Sequence, residues 1–237
     1  MKILTKLLHV LATPAYRAAF LRTGVAASTE HDHILEGLAL DTVVDIGANR
    51  GQFALCARRL FPKAAIYSFE PLQRPAAVYR RVFEHDPAAK LFPVAIAAEA
   101  GSATMHVSRW DVSSSLLPSA QAQHDNFPLT EETRQESITK ARLSECLDMN
   151  LITGNALLKL DVQGYELAAL RGCEELLSRF RYVYVEGSFV ELYVGQALAG
   201  EILAYLLHSG YRLLCVANLS YGRKGRPIQA DFLFIRA

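Results

Sequence analysis

Thr42-Val43-Val44-Asp45-Ile46-Gly47-Ala48-Asn49-Arg50-Gly51 is the stretch that decides the fold. β-branched residues surround one acid, two glycines follow, and Phe53-Ala54-Leu55 then opens a helical pattern. One helix later, Ile66-Tyr67-Ser68-Phe69-Glu70-Pro71 reads as a second strand ending in a carboxylate. Strand, tight turn, helix and strand in that order make the layout of a nucleoside-cofactor site. Glycine lets the backbone pass close to a ligand, and an acid at the next strand tip accepts hydrogen bonds from two ribose hydroxyls. Gly47 and Gly51 match neither G-x-x-x-x-G-K-[ST] nor G-x-G-x-x-G, which favours a cofactor with ribose but no pyrophosphate. A nicotinamide enzyme would need the second spacing.

Working outward, the 237 residues suffice for one well-covered α/β domain and are too few for two plus a linker. Apolar residues make up 51% and charged residues 21%, which excludes wholesale disorder and fits a sheet covered on both faces. A net charge of +1 provides no overall drive toward nucleic acid or an anionic membrane. The densest basic cluster, Arg223-Lys224-Gly225-Arg226, reads as a solvated loop or a phosphate contact. Cys56, Cys146, Cys173 and Cys215 lack C-x-x-C spacing and lie among apolar neighbours, as free thiols of a reducing cytoplasm do; no zinc site follows. Residues 1–25 imitate a secretory signal, but His9 interrupts a short apolar run, and Arg17 and Arg22 suit an amphipathic helix better. That helix can dock on the domain, on a partner subunit as a homodimer contact, or on a membrane surface. No run approaches the roughly 20 apolar residues of a membrane span. Residues 1–37 are thus expected to form a helical extension, and residues 38–237 the α/β domain.

The periodicities predict strands at 42–46, 65–69, 91–96, 156–160, 182–185, 211–216 and 230–235. Helices are predicted at 52–60, 75–84, 143–148, 164–177 and 196–208. Alternation implies a mostly parallel sheet. The last two strands lack an intervening helix and should form an antiparallel edge hairpin. Residues 101–137 break the alternation. They hold a short alternating run at 103–107, the single Trp110, Ser113-Ser114-Ser115 and a polar stretch, and read either as a substrate-binding insertion or as a surface loop.

A second constellation is Leu158-Lys159-Leu160-Asp161-Val162-Gln163-Gly164-Tyr165-Glu166, a strand that ends in an acid and turns through glycine into a helix. In a doubly wound sheet the tips of the first and fourth strands share one crevice, so Asp161 points where the cofactor's reactive end belongs. Lys159 lies on the same face and can pair with Asp161 or Glu166. Glu186, closing Tyr182-Val183-Tyr184-Val185, makes a carboxylate pair with Asp161.

Asp45-Ile-Gly-Ala-Asn-Arg-Gly51, Ser68-Phe-Glu-Pro71, Lys159-Leu-Asp-Val-Gln-Gly-Tyr-Glu166, Arg171-Gly-Cys173 and Tyr184-Val-Glu186, in this order, resemble the FkbM family of S-adenosylmethionine-dependent methyltransferases. The resemblance runs from about residue 40 to residue 236. It implies the class I methyltransferase (Rossmann-like) fold, a seven-stranded, mostly parallel sheet with an antiparallel last strand, and S-adenosyl-L-methionine as cofactor. It further implies that Asp45, Gly47, Asn49 and Gly51, with Ala48, line the methionine end. Glu70, with Pro71, would hold the ribose, and Ser114 would offer a hydroxyl. Two departures stand out. The family's usual Asp-Val-Glu-Gly is Asp161-Val162-Gln163-Gly164 here, and the third strand ends in Pro93-Val94-Ala95-Ile96-Ala97, with no acid for the adenine amine.

The resemblance implies O-methylation of a sugar, polyketide or related small molecule. The leading expectation is transfer to a hydroxyl of a carbohydrate or glycoconjugate, in polysaccharide biosynthesis. The alternatives are another small-molecule acceptor, including a nitrogen group, and a cofactor-binding module that does not catalyse. Since the methyl donor is already activated, alignment supplies most of the rate, and a base adds roughly 10²- to 10⁴-fold. Asp161 is the first choice of base, then Glu186, then His106. No metal is expected, because two carboxylates lack a third ligand. Acceptor specificity is expected in residues 101–134 and 188–196, where Phe189, Glu191 and Tyr193 can meet a sugar ring.

Overall fold

The computed structural model describes residues 2–223 and 225–237, so Lys224 of the basic cluster lies outside the described residues. In place of one N-terminal helix there are two, α1 (Lys2–Ala12) and α2 (Pro14–Thr23). Pro14 cannot continue a helix but suits the first turn of a new one, where its missing N–H costs nothing. A 3-10 turn, Thr29–His31, and the short α3 (Asp32–Leu35) lead into the sheet.

The first half of the domain is β1 (Thr42–Ile46), α4 (Gln52–Leu60), β2 (Ala65–Phe69), α5 (Gln73–Val82) and β3 (Ala89–Phe92). An insertion follows: β4 (Ala95–Ile96), β5 (Gly101–Ser108), α6 (Gln121–Asn126), β6 (Glu132–Ala141) and α7 (Leu143–Cys146). The second half is β7 (Ala156–Leu160), α8 (Glu166–Gly172), α9 (Glu174–Leu177), β8 (Tyr182–Ser188), α10 (Ala199–His208), β9 (Tyr211–Tyr221) and β10 (Pro227–Arg236).

Seven strands form one sheet in the order β3-β2-β1-β7-β8-β10-β9. β10 runs antiparallel to both β8 and β9, which is the edge hairpin read from the sequence. β1 and β7 run parallel while the order in which strands are added to the sheet reverses between them, so their carboxyl ends open on a common crevice. Both faces of the sheet are covered. Val44, Leu158, Val183 and Phe234 face α8 and α10 through Leu170, Ile202 and Leu206. Val43, Leu157, Tyr184 and Leu233 face α4 and α5 through Phe53, Ala57 and Tyr79. Val25 and Leu35 of the N-terminal segment join this second cluster, so the segment packs into the same core as the sheet. Buried Asp32 ties it down, accepting from Tyr16 Oη at 2.7 Å and pairing with Arg59 of α4 at 3.0 Å.

Two expectations from periodicity give way to local chemistry. The third strand is cut at Pro93, whose ring nitrogen has no proton for a sheet ladder. Ala89–Phe92 stays in the main sheet, and Ala95–Ile96 pairs with β6 instead. The insertion is a second sheet of order β4-β6-β5, closed over Leu72, Met105, Val107 and Ile138. The helix expected to begin at residue 196 starts at Ala199. Gln196 turns its side-chain oxygen back to the amides of Leu192 and Tyr193, at 2.8 and 2.7 Å.

Candidate active site

One cavity of ≈ 630 Å³ runs along the carboxyl ends of the strands, from Glu70 at one end to Asp161, Glu186 and Asp231 at the other. Gly47, Ala48, Asn49, Pro71 and Ser114 also line it.

The end near β1 and β2 is built mainly from backbone. Gly47 N–H and Ala48 N–H both donate to the Phe69 carbonyl, at 3.1 and 3.0 Å, folding the turn across the neighbouring strand tip. Gly47 has φ +80°, and a Cβ there would stand 1.9 Å from the Asp161 carbonyl oxygen, so only glycine lets β1 and β7 meet. Asn49 donates its N–H to Glu70 Oε2 at 3.0 Å, and Leu72 N–H donates to Oε1 at 2.8 Å. These bonds orient a buried carboxylate that, among the described residues, has no cation paired with it. Burial pushes the Glu70 carboxyl up to about 7, with Asp111 and Asp45 adding to the rise. Such an acid gains from polar hydrogens brought by a ligand. Val94, Ala95 and Ile96 supply an apolar wall.

Asp45 and Gly51 do not line the cavity. Asp45 is fully buried beneath it, 3.1 Å from Lys159 Nζ, because β1 and β7 pair in the register Asp45 to Lys159. Gly51 starts α4 with φ +90°; a Cβ there would meet the Phe83 ring at 2.7 Å, so it serves helix packing. Lys159 also lies 3.8 Å from Asp161 and 5.3 Å from the Phe53 ring centre. Burial opposes its charge, but Asp45 and then Asp161 outweigh burial and hold the ammonium protonated.

The other end is built from side chains. Asp161 and Glu186 are brought together by Gln163, whose Nε2 donates to Asp161 Oδ1 at 2.7 Å and to Glu186 Oε2 at 3.2 Å. Gln163 is itself clamped. Its Oε1 accepts from Tyr193 Oη at 2.8 Å, its carbonyl accepts from Ser115 Oγ at 2.6 Å, and its backbone is left-handed at φ +55°. Gln229 Nε2 donates to Glu186 Oε1 at 2.6 Å. Burial, then Asp161, push the Glu186 carboxyl well above the usual range. Glu166 comes close as a third carboxylate, and oxygens of Asp161, Glu166 and Glu186 lie within 4.8 Å of one another. This set could hold a divalent cation. However, an amide donor already stands between Asp161 and Glu186, and Glu166 Oε1 accepts from Val162 N–H and Gly164 N–H at 3.0 and 3.1 Å.

Other residues read from the sequence stand apart from the cavity. His106 is bound to Glu132 at 2.7 Å and lines a shallow neighbouring depression. Trp110 is exposed, Phe189 packs edge-on to Phe232, and Glu191 closes its own turn by accepting from Gly195 N–H. Tyr193 does not line the cavity but bonds residues that do, its Oη donating to Gln163 Oε1 at 2.8 Å and accepting from Gln123 Nε2 at 3.2 Å. Conversely, His31, Asn218, Gln229 and Asp231 line the cavity although no motif points to them. One signal was available: Asp231 is a lone acid in the apolar run Ala230-Asp231-Phe232-Leu233.

The sheet order, the switch-point cavity and the acid at the second strand tip define a class I S-adenosylmethionine-dependent methyltransferase. The solved structure of a putative S-adenosylmethionine-dependent methyltransferase from Listeria monocytogenes shares this fold, with a TM-score of 0.51 at 10% identity over 89% of this chain and 99% of that one. The methyltransferase FkbM domain matches residues 45–213, and the chain belongs to that family. The 2-O-methyltransferase NoeI of Sinorhizobium fredii is 33% identical over 177 residues, 69% of this chain and 70% of that protein. The 31-O-demethyl-FK506 methyltransferase FkbM of Streptomyces tacrolimicus is 27% identical over 213 residues, 78% of this chain and 79% of that protein. The chain is therefore a methyltransferase whose cofactor is S-adenosyl-L-methionine. The donor set suits that group, since Glu70 presents a buried acid that is unpaired with any cation among the described residues and can receive ribose hydroxyls. Among the described residues no helix is long and apolar enough to cross a membrane.

Proposed function

We propose that the enzyme methylates a hydroxyl of a carbohydrate or glycoconjugate, in polysaccharide biosynthesis, in a reducing cytoplasm. The observation that carries this reading is the polar character of the cavity end opposite Glu70. There Asp161, Glu186, Gln229, Asn218 and Asp231 offer acceptors and donors suited to several hydroxyls of one ring. Similarity to the 2-O-methyltransferase NoeI supports transfer to oxygen. The free thiols of Cys56, Cys146, Cys173 and Cys215 support a reducing compartment.

Bound S-adenosyl-L-methionine supplies a methyl group already activated on a sulfonium. Glu70, oriented by Asn49 N–H and Leu72 N–H, accepts from the ribose hydroxyls. Gly47, Ala48 and Asn49, which line the cavity, would hold the methionine portion, with Pro71 and Ser114 as walls. Asp161 and Glu186, fixed by Gln163, are the catalytic carboxylates that take hydrogen bonds from the acceptor and turn one oxygen toward the methyl group. That alignment is where most of the acceleration arises.

Calorimetry with S-adenosyl-L-methionine, followed by labelled methyl transfer to a panel of sugars, nucleotide sugars, oligosaccharides and macrolides, tests the reading. The expected result is cofactor binding with transfer to a saccharide hydroxyl. Transfer to macrolides alone would replace it with the polyketide acceptor that similarity to the FK506 enzyme supports. Binding without transfer to any acceptor would leave a non-catalytic cofactor module.

A further inference from the structure

On the helical face of the sheet, β7, β8 and β10 carry ionisable side chains where they approach the cavity: Lys159 and Asp161, Tyr184 and Glu186, and Asp231, whose backbone pairs directly with that of Glu186. Period-two alternation puts each strand's pair on one face. Leu157 and Tyr182, deeper on that face, are covered by α4, and its first-turn Phe53 reaches Lys159 and Tyr184, leaving Asp161, Glu186 and Asp231 at the cavity end. The 3-10 turn Thr29–His31, outside the matched FkbM domain, reaches over them and sets the His31 ring against Phe53 and Tyr184, at centroid distances of 5.3 and 5.5 Å.

His31 lines the same cavity as Asp161 and Glu186. Its Nδ1 is 2.9 Å from Tyr184 Oη and 3.5 Å from Asp231 Oδ2. Tyr184 Oη donates to Asp231 Oδ2 at 2.8 Å, and Asn218 Nδ2 donates to the same oxygen at 2.7 Å. Burial, then Asp231, keep the Tyr184 phenol protonated. With its only proton committed to Asp231, Tyr184 Oη is left to accept from Nδ1–H. Asn218 Nδ2 also stands 3.3 Å from Nδ1 and 3.4 Å from Tyr184 Oη; one of its two hydrogens goes to Asp231 at 2.7 Å, and with the other on Tyr184 Oη, Nδ1 keeps its proton. Nε2 is then the lone-pair nitrogen, and among the described residues it has no protein partner.

We propose that His31 is the general base of methyl transfer, its Nε2 taking the proton of the acceptor hydroxyl while Tyr184 and Asp231 act as positioning residues. This rests on the O-methyltransferase reading above. In the step, the acceptor O–H bond breaks and its proton goes to Nε2. The oxygen's electron pair forms the new O–CH3 bond, and the pair of the breaking C–S bond remains on sulfur, cancelling its positive charge. The imidazolium is balanced by Asp231 and afterwards gives its proton to solvent. A base oriented by hydroxyl and carboxylate through its far nitrogen follows the general logic of activated catalytic pairs. Burial lowers the His31 pKa below its ordinary 6.5, against the opposing pull of Asp231 and Glu30. Lys159 also lowers it and Asp161 raises it, so the resting imidazole is neutral and able to accept at neutral pH.

The test has one arm without substrate and one with it. Nitrogen NMR of the ligand-free protein should show His31 with Nε2 unprotonated and Nδ1 protonated. Its titration should lie below 6.5 and fall further in Asp231→Asn, which removes a carboxylate that favours the charged ring. In turnover, wild-type kcat should rise with pH through the same titration and then level. His31→Gln should lose that rising limb and about 10²- to 10⁴-fold in kcat, with an unchanged melting curve and a dissociation constant for S-adenosyl-L-methionine within about twofold, as for a residue that leaves the cofactor alone. A protonated Nε2 in the ligand-free wild type overturns the proposal even if the variants fail to fold. So does a His31→Gln enzyme that keeps its kcat and its limb. Transfer confined to non-saccharide hydroxyls removes the carbohydrate acceptor, while the Nε2 proton and the His31→Gln rate still decide whether His31 is the base.

Discussion

The two ends of the cavity are built by opposite means. At the Glu70 end, a turn at one strand tip and an acid at the next are held by amide hydrogens of Gly47, Ala48, Asn49 and Leu72. At the other end, side chains from residues 31 to 231 meet in a network centred on Gln163 and Asp231. A backbone cradle depends on glycine and local turn geometry, so it tolerates little change in shape but carries few charges. A side-chain network carries the charges and depends on its partners remaining complementary. Recognition of an invariant nucleoside suits the first construction, and adaptation to different acceptors suits the second.

The sharpest way to break this division is Asp45→Asn, because Asp45 belongs to the Glu70 end by sequence and to the Lys159 network by contact. Removing its charge leaves a buried ammonium whose remaining carboxylate, Asp161, stands 3.8 Å away, and a loss of about 3–5 kcal/mol in urea denaturation is expected. Unchanged stability with weakened cofactor binding would return Asp45 to the cradle.

Glu70→Gln comes next. Loss of the charged ribose acceptor should weaken S-adenosyl-L-methionine binding by about 10- to 100-fold in calorimetry, with little change in kcat. The same variant has a pH signature. The Glu70 carboxyl sits at about 7 in the folded chain against an ordinary 4.5, so the folded state binds its proton more tightly. Its contribution to stability is complete below about 4.5 and is lost as pH rises through about 7, amounting to ~3 kcal/mol for one such group. Glu166, also pushed up to about 7 by burial, adds in the same direction. Ligand-free protein should therefore unfold at lower urea at pH 8 than at pH 5, with a smaller difference in Glu70→Gln. An identical pH dependence in both proteins would show that Glu70 is not the group responsible.

Gln163→Glu restores the residue usual in the family and replaces the amide donor between Asp161 and Glu186 with a third acceptor. A loss of about 1–2 kcal/mol at pH 8 and roughly tenfold in kcat is expected from the unpaired carboxylates. A gain in activity would show that the clamp restrains the acceptor end. The smallest effect concerns metal: a chelator should change wild-type turnover by less than about twofold, because the Gln163 amide stands where a bridging cation would bind. Abolition of turnover, restored by a divalent cation, would make Asp161, Glu166 and Glu186 a metal centre.

Legibility in the sequence follows the same division. The run from Thr42 to Glu70 spans one strand, helix and strand, so the glycines and the terminal acid of the cradle are read within a single local unit. Short, largely apolar runs buried on both faces mark the central strands, which is why β1, β2 and β7 fall where periodicity places them. Pro93 and Pro14 move boundaries that periodicity runs straight through. Asp161 and Glu186 are legible as polar strand ends. His31 is not, because a histidine in a short polar turn carries no periodic or motif signal.

From the order of its residues alone, this chain specifies a parallel sheet, a nucleoside-binding first half and a reversed final hairpin, because each depends on hydrogen bonding and burial within neighbouring stretches. Tertiary structure alone decides which groups surround the acceptor. Sheet order sets β10 beside β8, and the N-terminal turn then crosses both, bringing residues 31, 184 and 231 within hydrogen-bonding reach across roughly 200 positions of chain that no local pattern connects.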